Sequence, residues 1–123
     1  MTTIVAITYV VLIVGVIGFQ CALIAGAPWG RLTQGGKQTG PLNKPGRIAA
    51  FVSIFLLIFM AAGITSAADL PPRWPLWTGW VALGIQTCST VANWITPSAP
   101  ERKLWGPITS LLLVLCVYVV LLG

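Results

Sequence analysis

Four uninterrupted apolar runs dominate the chain: Ile4 to Ala27, Ile48 to Ala68, Leu76 to Ile95 and Leu104 to Leu122. Each is about 20 residues long, the length a helix needs to cross a bilayer's hydrocarbon core. In hydrocarbon the backbone N–H and C=O groups of such a run must satisfy one another, which a helix does within the segment. Composition agrees, with 57% apolar and only 7% charged residues and a mean hydropathy of +0.93. An ordinary soluble domain carries roughly a quarter charged residues. A soluble globular domain, a disordered chain and a disulfide-rich scaffold are therefore excluded. The four runs leave no length for a second domain. The expected fold class is all-α: a polytopic, up-down four-helix transmembrane bundle over residues 1–123, with helices at about 4–27, 48–68, 76–95 and 104–122.

The first run does not read as a signal peptide. No Lys or Arg precedes Arg31, and the run exceeds the roughly 7–15 residues of a signal-peptide apolar region. The second and third connections are short and proline-rich, with Pro71, Pro72 and Pro75 in one and Pro97 and Pro100 in the other. Short connections make consecutive helices antiparallel neighbours. Ser98 and Glu101 have capping-box spacing, so the fourth helix is expected to begin ahead of its apolar run, with Pro107 inside its early turns. The first connection, Pro28 to Arg47, is longer and rich in glycine and proline, a composition that forbids a regular helix or strand.

The bases set an orientation. Arg31, Lys37, Lys44 and Arg47 lie in the first loop, Arg102 and Lys103 in the third, and Arg73 alone in the second. The positive-inside rule then puts loops one and three in the cytoplasm and both termini on the extracytoplasmic side. Trp29, Trp94 and Trp105 fall at the cytoplasmic boundary in this frame and Trp74 and Trp77 at the outer one, where indole is favoured; Trp80 sits a turn deeper.

Catalytic chemistry has few residues to work with. The chain has no His and only two acids, Asp69 and Glu101, at opposite sides of the expected membrane. Neither a Ser/Lys pair, nor an aspartate dyad, nor a His–carboxylate metal site can be assembled from it. No enzyme activity, catalytic residue, metal or cofactor is expected. Gly30, Gly35, Gly36 and Lys37 faintly resemble a phosphate loop, but Arg31 and Gln38 stand where Gly and Ser or Thr are required. Cys21, Cys88 and Cys116 all fall in apolar runs without C-x-x-C spacing and read as buried small hydrophobes. The net charge of +5 is a topology signal rather than a nucleic-acid one. The first-loop bases Arg31, Lys37, Lys44 and Arg47 are candidate contacts for anionic lipid head groups, at about 1 kcal/mol each near such a leaflet.

The polar residues inside the runs carry the remaining information. In the third helix Gly79, Ala82, Gln86, Thr90 and Asn93 recur at three- and four-residue steps and form one small-and-polar stripe. Such a face lets helices approach closely and lets amides hydrogen-bond across the gap. It therefore belongs in the bundle interior or against a partner. At 1.5 Å per residue, Gln20, Ser53, Thr90 and Ser110 fall about 4–8 Å to the cytoplasmic side of the midplane, with Gln86 at the midplane. An interior polar layer of Gln20, Gln86 and Thr90, joined by Ser53 or Ser110, is expected, because an unpaired amide in hydrocarbon is costly.

Small four-helix multidrug antiporters share this size and architecture, but they depend on a glutamate in the middle of the first helix, where this chain has Ile13, Val14, Gly15 and Val16. A nearer resemblance rests on three boundary segments. These are Ala25-Gly26-Ala27-Pro28-Trp29-Gly30 followed by Gly35-Gly36-Lys37, then Pro45-Gly46-Arg47-Ile48, then Glu101-Arg102-Lys103-Leu104-Trp105-Gly106-Pro107. With them the chain resembles a group of small four-helix bacterial inner-membrane proteins of unassigned function. The resemblance implies four spans and a multi-pass protein of the bacterial cytoplasmic membrane, and it supplies no activity. Two functions are expected on these grounds. The first is a non-enzymatic role through packing of the third helix against a membrane partner or a second copy. The alternative is a small oligomeric channel or carrier for a neutral or lipid-like solute.

Overall fold

The computed structural model describes all residues from Met1 to Gly123 and contains four α-helices: α1 (Thr2–Ile24), α2 (Lys44–Ala67), α3 (Leu76–Ile95) and α4 (Ala99–Val117). A π-helical turn, Tyr118–Leu122, extends α4. Each helix packs on the next, and α4 returns to α1. Thr2 touches Gly123 at one end of the bundle, and Gly36 of the first loop touches Ser98 of the α3–α4 link at the other. The helices therefore run up and down, with both termini at one end and the first loop at the opposite end.

Three helices are long and apolar enough to cross a membrane: Thr2–Ile24, Lys44–Ala67 and Ala99–Leu122. They mark the chain as a membrane protein. The outward faces agree, since Ile4, Val11 and Val14 of α1 and Phe51, Phe55 and Ile58 of α2 are all exposed. In water such a surface would be an aggregation site; in lipid it is ordinary. α3 is not among these three helices, because Thr78, Gln86, Thr87, Ser89, Thr90 and Asn93 dilute its apolar character.

The helix ends differ from the apolar runs by a few residues, each for a local reason. α1 stops at Ile24, three residues before its run ends, and Gly26 then turns the chain at φ +105°. α2 starts at Lys44, four residues ahead of its run, because Asn43 Oδ1 accepts from the Gly46 N–H at 3.0 Å and Pro45 suits a first turn. α4 starts at Ala99, where Ser98 Oγ accepts from the Glu101 N–H at 3.4 Å.

The core of the bundle is built from Tyr9 and Ile13 of α1, Met60 and Ile64 of α2, Ala82 of α3, and Leu112 and Cys116 of α4. Near the terminal end α2 and α3 approach closely. A Cβ on Gly63 would stand 2.7 Å from the Thr78 carbonyl oxygen, and one on Gly79 would stand 3.0 Å from Ala67 Cβ. Only glycine permits that separation. Cys116 is buried, but Cys21 and Cys88 lie on the outer surface, so the expectation of three buried cysteines is corrected.

The first loop is folded. Two 3-10 turns, Gly30–Leu32 and Gln34–Gly36, form its first half. The Gly30 N–H donates to the Gly40 carbonyl at 3.0 Å and closes the loop on itself. Leu42 packs with Leu23 and Ala50 in a second small core under the loop. Arg47 donates to the Leu42 carbonyl at 2.9 Å and to the Ile24 carbonyl at the end of α1 at 3.5 Å.

Candidate functional site

A cavity of about 280 Å³ lies between the helices in the half of the bundle nearest the first loop. Along α3 its lining runs from Ile85 to Asn93, about 12 Å of helix at the standard rise. All four helices and the first loop contribute. The polar lining comes from Gln20, Ser53, Gln86, Ser89, Asn93, Glu101, Thr109 and Thr33. Phe19 and Trp105, in edge-to-face contact with ring centres 4.8 Å apart, line it on the α1–α4 side.

At the inner end is a buried hydrogen-bond network. Gln86 is 1% exposed. Its Oε1 accepts from the Tyr9 hydroxyl at 3.0 Å, and its Nε2 donates to the Thr109 carbonyl at 3.4 Å. The Thr90 hydroxyl donates to the carbonyls of Gln86 at 2.8 Å and Thr109 at 3.1 Å. α1, α3 and α4 are thus tied at one level.

Midway along the cavity the polar side chains turn their donors back onto their own helices. The Ser53 hydroxyl donates to the Ala49 carbonyl at 2.9 Å, Asn93 Nδ2 to the Ser89 carbonyl at 2.7 Å, and the Thr109 hydroxyl to the Trp105 carbonyl at 2.6 Å. What remains toward the cavity from these side chains is acceptor capacity.

Glu101 and the first loop form the other end. Glu101 is 7% exposed. Its Oε1 accepts from the Gly35 N–H at 3.2 Å and from the Thr96 hydroxyl. Oε2 accepts no hydrogen bond, and no base lies within 4.0 Å of the carboxylate; the one ion pair in the fold, Asp69–Arg73 at 3.7 Å, is exposed at the far end. Arg102, one residue on, donates instead to the Thr96 carbonyl at 2.8 Å. The loop is pinned here a second time by the Ser98 hydroxyl, which donates to the Arg31 carbonyl at 2.6 Å. Gly36, at φ +69°, allows this approach, since a Cβ there would fall 2.5 Å from Ser98 Cβ.

The residues singled out from sequence are distributed as follows. Gln86 and Thr90 share the buried network, and Gln20 and Ser53 line the same cavity without joining it. Ser110 is elsewhere: it accepts from the Trp94 indole N–H at 2.8 Å, a donor that needs a partner in apolar surroundings. Gly79, Ala82, Gln86 and Thr90 of the α3 stripe are buried against α2 and α4, and Asn93 faces the cavity. The stripe is consumed within the chain. Among the first-loop bases Arg31, Lys37 and Lys44 are exposed, whereas Arg47 is half-buried in its two carbonyl contacts. An open groove lined by Ile24, Leu42, Lys44, Arg47, Ile48 and Phe51 runs beside Lys44.

Sequence reasoning missed Tyr9, Thr109 and Glu101. A tyrosine hydroxyl deep in an apolar run needs an acceptor, and that signal was available for Tyr9. Glu101 was read only as a cap partner. No three His, Cys, Asp or Glu side chains cluster in the fold, and the cavity's polar lining is amides, hydroxyls and one carboxylate. No protein-family model, curated protein or solved structure matches the chain at a significant level.

Proposed function

We propose that the protein is a small-solute carrier or channel of the bacterial cytoplasmic membrane, with α3 as its fourth span and no enzymatic activity. The observation that carries this reading is the cavity between Gln86 and Glu101, its lining part polar and part apolar (Val16, Leu56, Leu57, Met60 and Ile85), inside a bundle whose outer faces are apolar. Its 280 Å³ sits just under the roughly 300–1,000 Å³ range of ligand pockets, which suits a small solute. Burial of the α3 stripe weighs against the other reading, because a face packed on α2 and α4 has nothing left to offer a membrane partner or a second copy. The orientation rests on charge. The two ends that meet at Gly36 and Ser98 together carry Arg31, Lys37, Lys44, Arg47, Arg102 and Lys103, which supports placing the cavity's loop end in the cytoplasm. The exposed bases and the groove beside Lys44 support contact with anionic lipid at that same face.

The test is solute entry into proteoliposomes, followed by light scattering with urea and glycerol as probes. Wild-type protein should accelerate entry of at least one small polar solute over empty vesicles. Ser53→Leu, which narrows the cavity and replaces a polar lining group by an apolar one, should cut the increment severalfold. Entry equal to that of empty vesicles, or an increment unchanged by Ser53→Leu, contradicts the proposal.

A further inference from the structure

We propose that the cavity's solute is a small organic cation, an ammonium or guanidinium compound held by Glu101; this rests on the solute-binding reading above. Three independent features of the lining converge on it. The first is the carboxylate. Glu101 is 93% removed from solvent yet has no counter-charge, and both of its hydrogen-bond donors fall on Oε1. A carboxylate in that position is stabilised by a cation in the space it faces. Oε2, which accepts nothing, is the atom available to it. No buried side-chain oxygen or nitrogen in the fold lacks a partner, so Oε2 retains accessible surface on a residue that lines the cavity.

The second feature is the polarity of the remaining lining. The hydroxyls of Ser53 and Thr109 and the amide N–H groups of Asn93 are spent within their own helices. These three side chains present oxygen lone pairs to the cavity, which match a solute rich in N–H donors; Gln20, whose amide makes no other hydrogen bond, can turn its oxygen the same way. The third is aromatic. Phe19 and Trp105 border the same space, and aromatic rings attract organic cations, tryptophan most strongly; one face of Phe19 is taken by Trp29, stacked at 5.7 Å, so Trp105 is the ring the cation would use. A carboxylate, acceptor oxygens and two aromatic rings around one small volume are the complement of an organic cation. No base of the chain lines the cavity to compete for them.

Glu101 also anchors the first loop through the Gly35 N–H, and Thr33 of that loop lines the cavity. The residue that would hold the cation therefore also holds the segment lying over the cavity's loop end. The Oε1 contacts survive replacement by glutamine, whose amide oxygen accepts the same two donors, so Glu101→Gln removes the charge and keeps the anchor.

The experiment is equilibrium dialysis of radiolabelled guanidinium and of urea, its uncharged counterpart of equal size. The full chain is held in nanodiscs of zwitterionic lipid. Wild type should bind one guanidinium per chain, and Glu101→Gln should weaken it by roughly tenfold to a hundredfold, as for loss of a hydrogen bond to a charged group. Asp69→Asn, which removes the exposed carboxylate, should leave it unchanged. Urea should bind wild type more weakly than guanidinium and be insensitive to Glu101→Gln. Should Glu101→Gln fail to fold, Trp105→Leu takes its place, with guanidinium weakened severalfold and urea unaffected. Guanidinium binding that ignores these substitutions, or that is no tighter than urea binding, overturns the cation assignment. In that case urea binding weakened by Ser53→Leu supports the solute reading. Binding of neither probe overturns the cation assignment and also counts against the cavity as a solute site.

Discussion

Replacing Gln86 by leucine tests whether the buried network holds the bundle together. Leucine approximates the volume and cannot hydrogen-bond, so the change isolates the amide. Gln86 is 1% exposed and bridges the Tyr9 hydroxyl at 3.0 Å and the Thr109 carbonyl at 3.4 Å. Loss of the amide leaves the Tyr9 hydroxyl with only the weakly accepting Cys116 sulfur beside it, at about 1–3 kcal/mol. The Thr109 carbonyl keeps the Thr90 hydroxyl at 3.1 Å and loses little. Interhelical hydrogen bonds in membranes average only about 0.6 kcal/mol, with a maximum near 1.7. Gln86→Leu is therefore expected to cost about 1–2.5 kcal/mol. Tyr9→Phe alone should cost about 0.5–1 kcal/mol, since Gln86 keeps its other bond. The double variant should cost less than the sum by roughly 0.5–1.5 kcal/mol, because the stranded partner has gone. Reversible unfolding in mixed micelles, followed by circular dichroism across an SDS titration, reads all three. Strictly additive costs, or a Gln86→Leu protein as stable as wild type, would refute the network.

Gly63→Val should destabilise by about 1–3 kcal/mol through overpacking, because its Cβ would meet the Thr78 carbonyl at 2.7 Å; the same titration measures it, and an unchanged midpoint would mean α2 and α3 are further apart than described. Arg31, Lys37 and Lys44 replaced together by Gln should reduce binding to anionic vesicles without affecting stability, whereas Arg47→Gln should lower stability by about 1–2 kcal/mol through its carbonyl contacts. Flotation and micelle unfolding separate the two effects, and a stable Arg47→Gln protein would remove the structural role. Reporter fusions after Gly123 should read as extracytoplasmic and a probe at Lys37 as cytoplasmic; a cytoplasmic Gly123 would reverse the orientation or remove a span.

The helices were legible because hydrocarbon leaves a polypeptide few options, and a 20-residue apolar run is nearly self-interpreting. Their ends were less so. Ser98 and Glu101 announced the start of α4, but Asn43 caps α2 from within a loop whose composition hid it. The α3 stripe was visible as a period, and only packing decides that α2 and α4 consume it. Glu101 shows the limit more sharply. Its spacing from Ser98 accounts for it locally, so nothing in the sequence pointed to a second role. The Gly35 N–H that meets it comes from 66 residues away, a contact that no local pattern encodes. Ser110 failed in the opposite way: depth alone placed it with Gln20 and Thr90, while a single rotation about the helix axis gave it to Trp94.

In the proposed function, solute and water reach the space inside an otherwise apolar bundle from the first-loop end. Cysteine accessibility tests it directly. With Cys21, Cys88 and Cys116 replaced by alanine, Ser53→Cys lines the cavity while Val52→Cys, its neighbour, stands on the exposed outer face of α2. Both are treated in inverted membrane vesicles with a small water-soluble methanethiosulfonate ammonium reagent. Ser53→Cys should be modified, excess guanidinium should slow the modification, and Val52→Cys, facing lipid, should stay unreactive. A Ser53→Cys thiol as inert as Val52→Cys would contradict the proposed function.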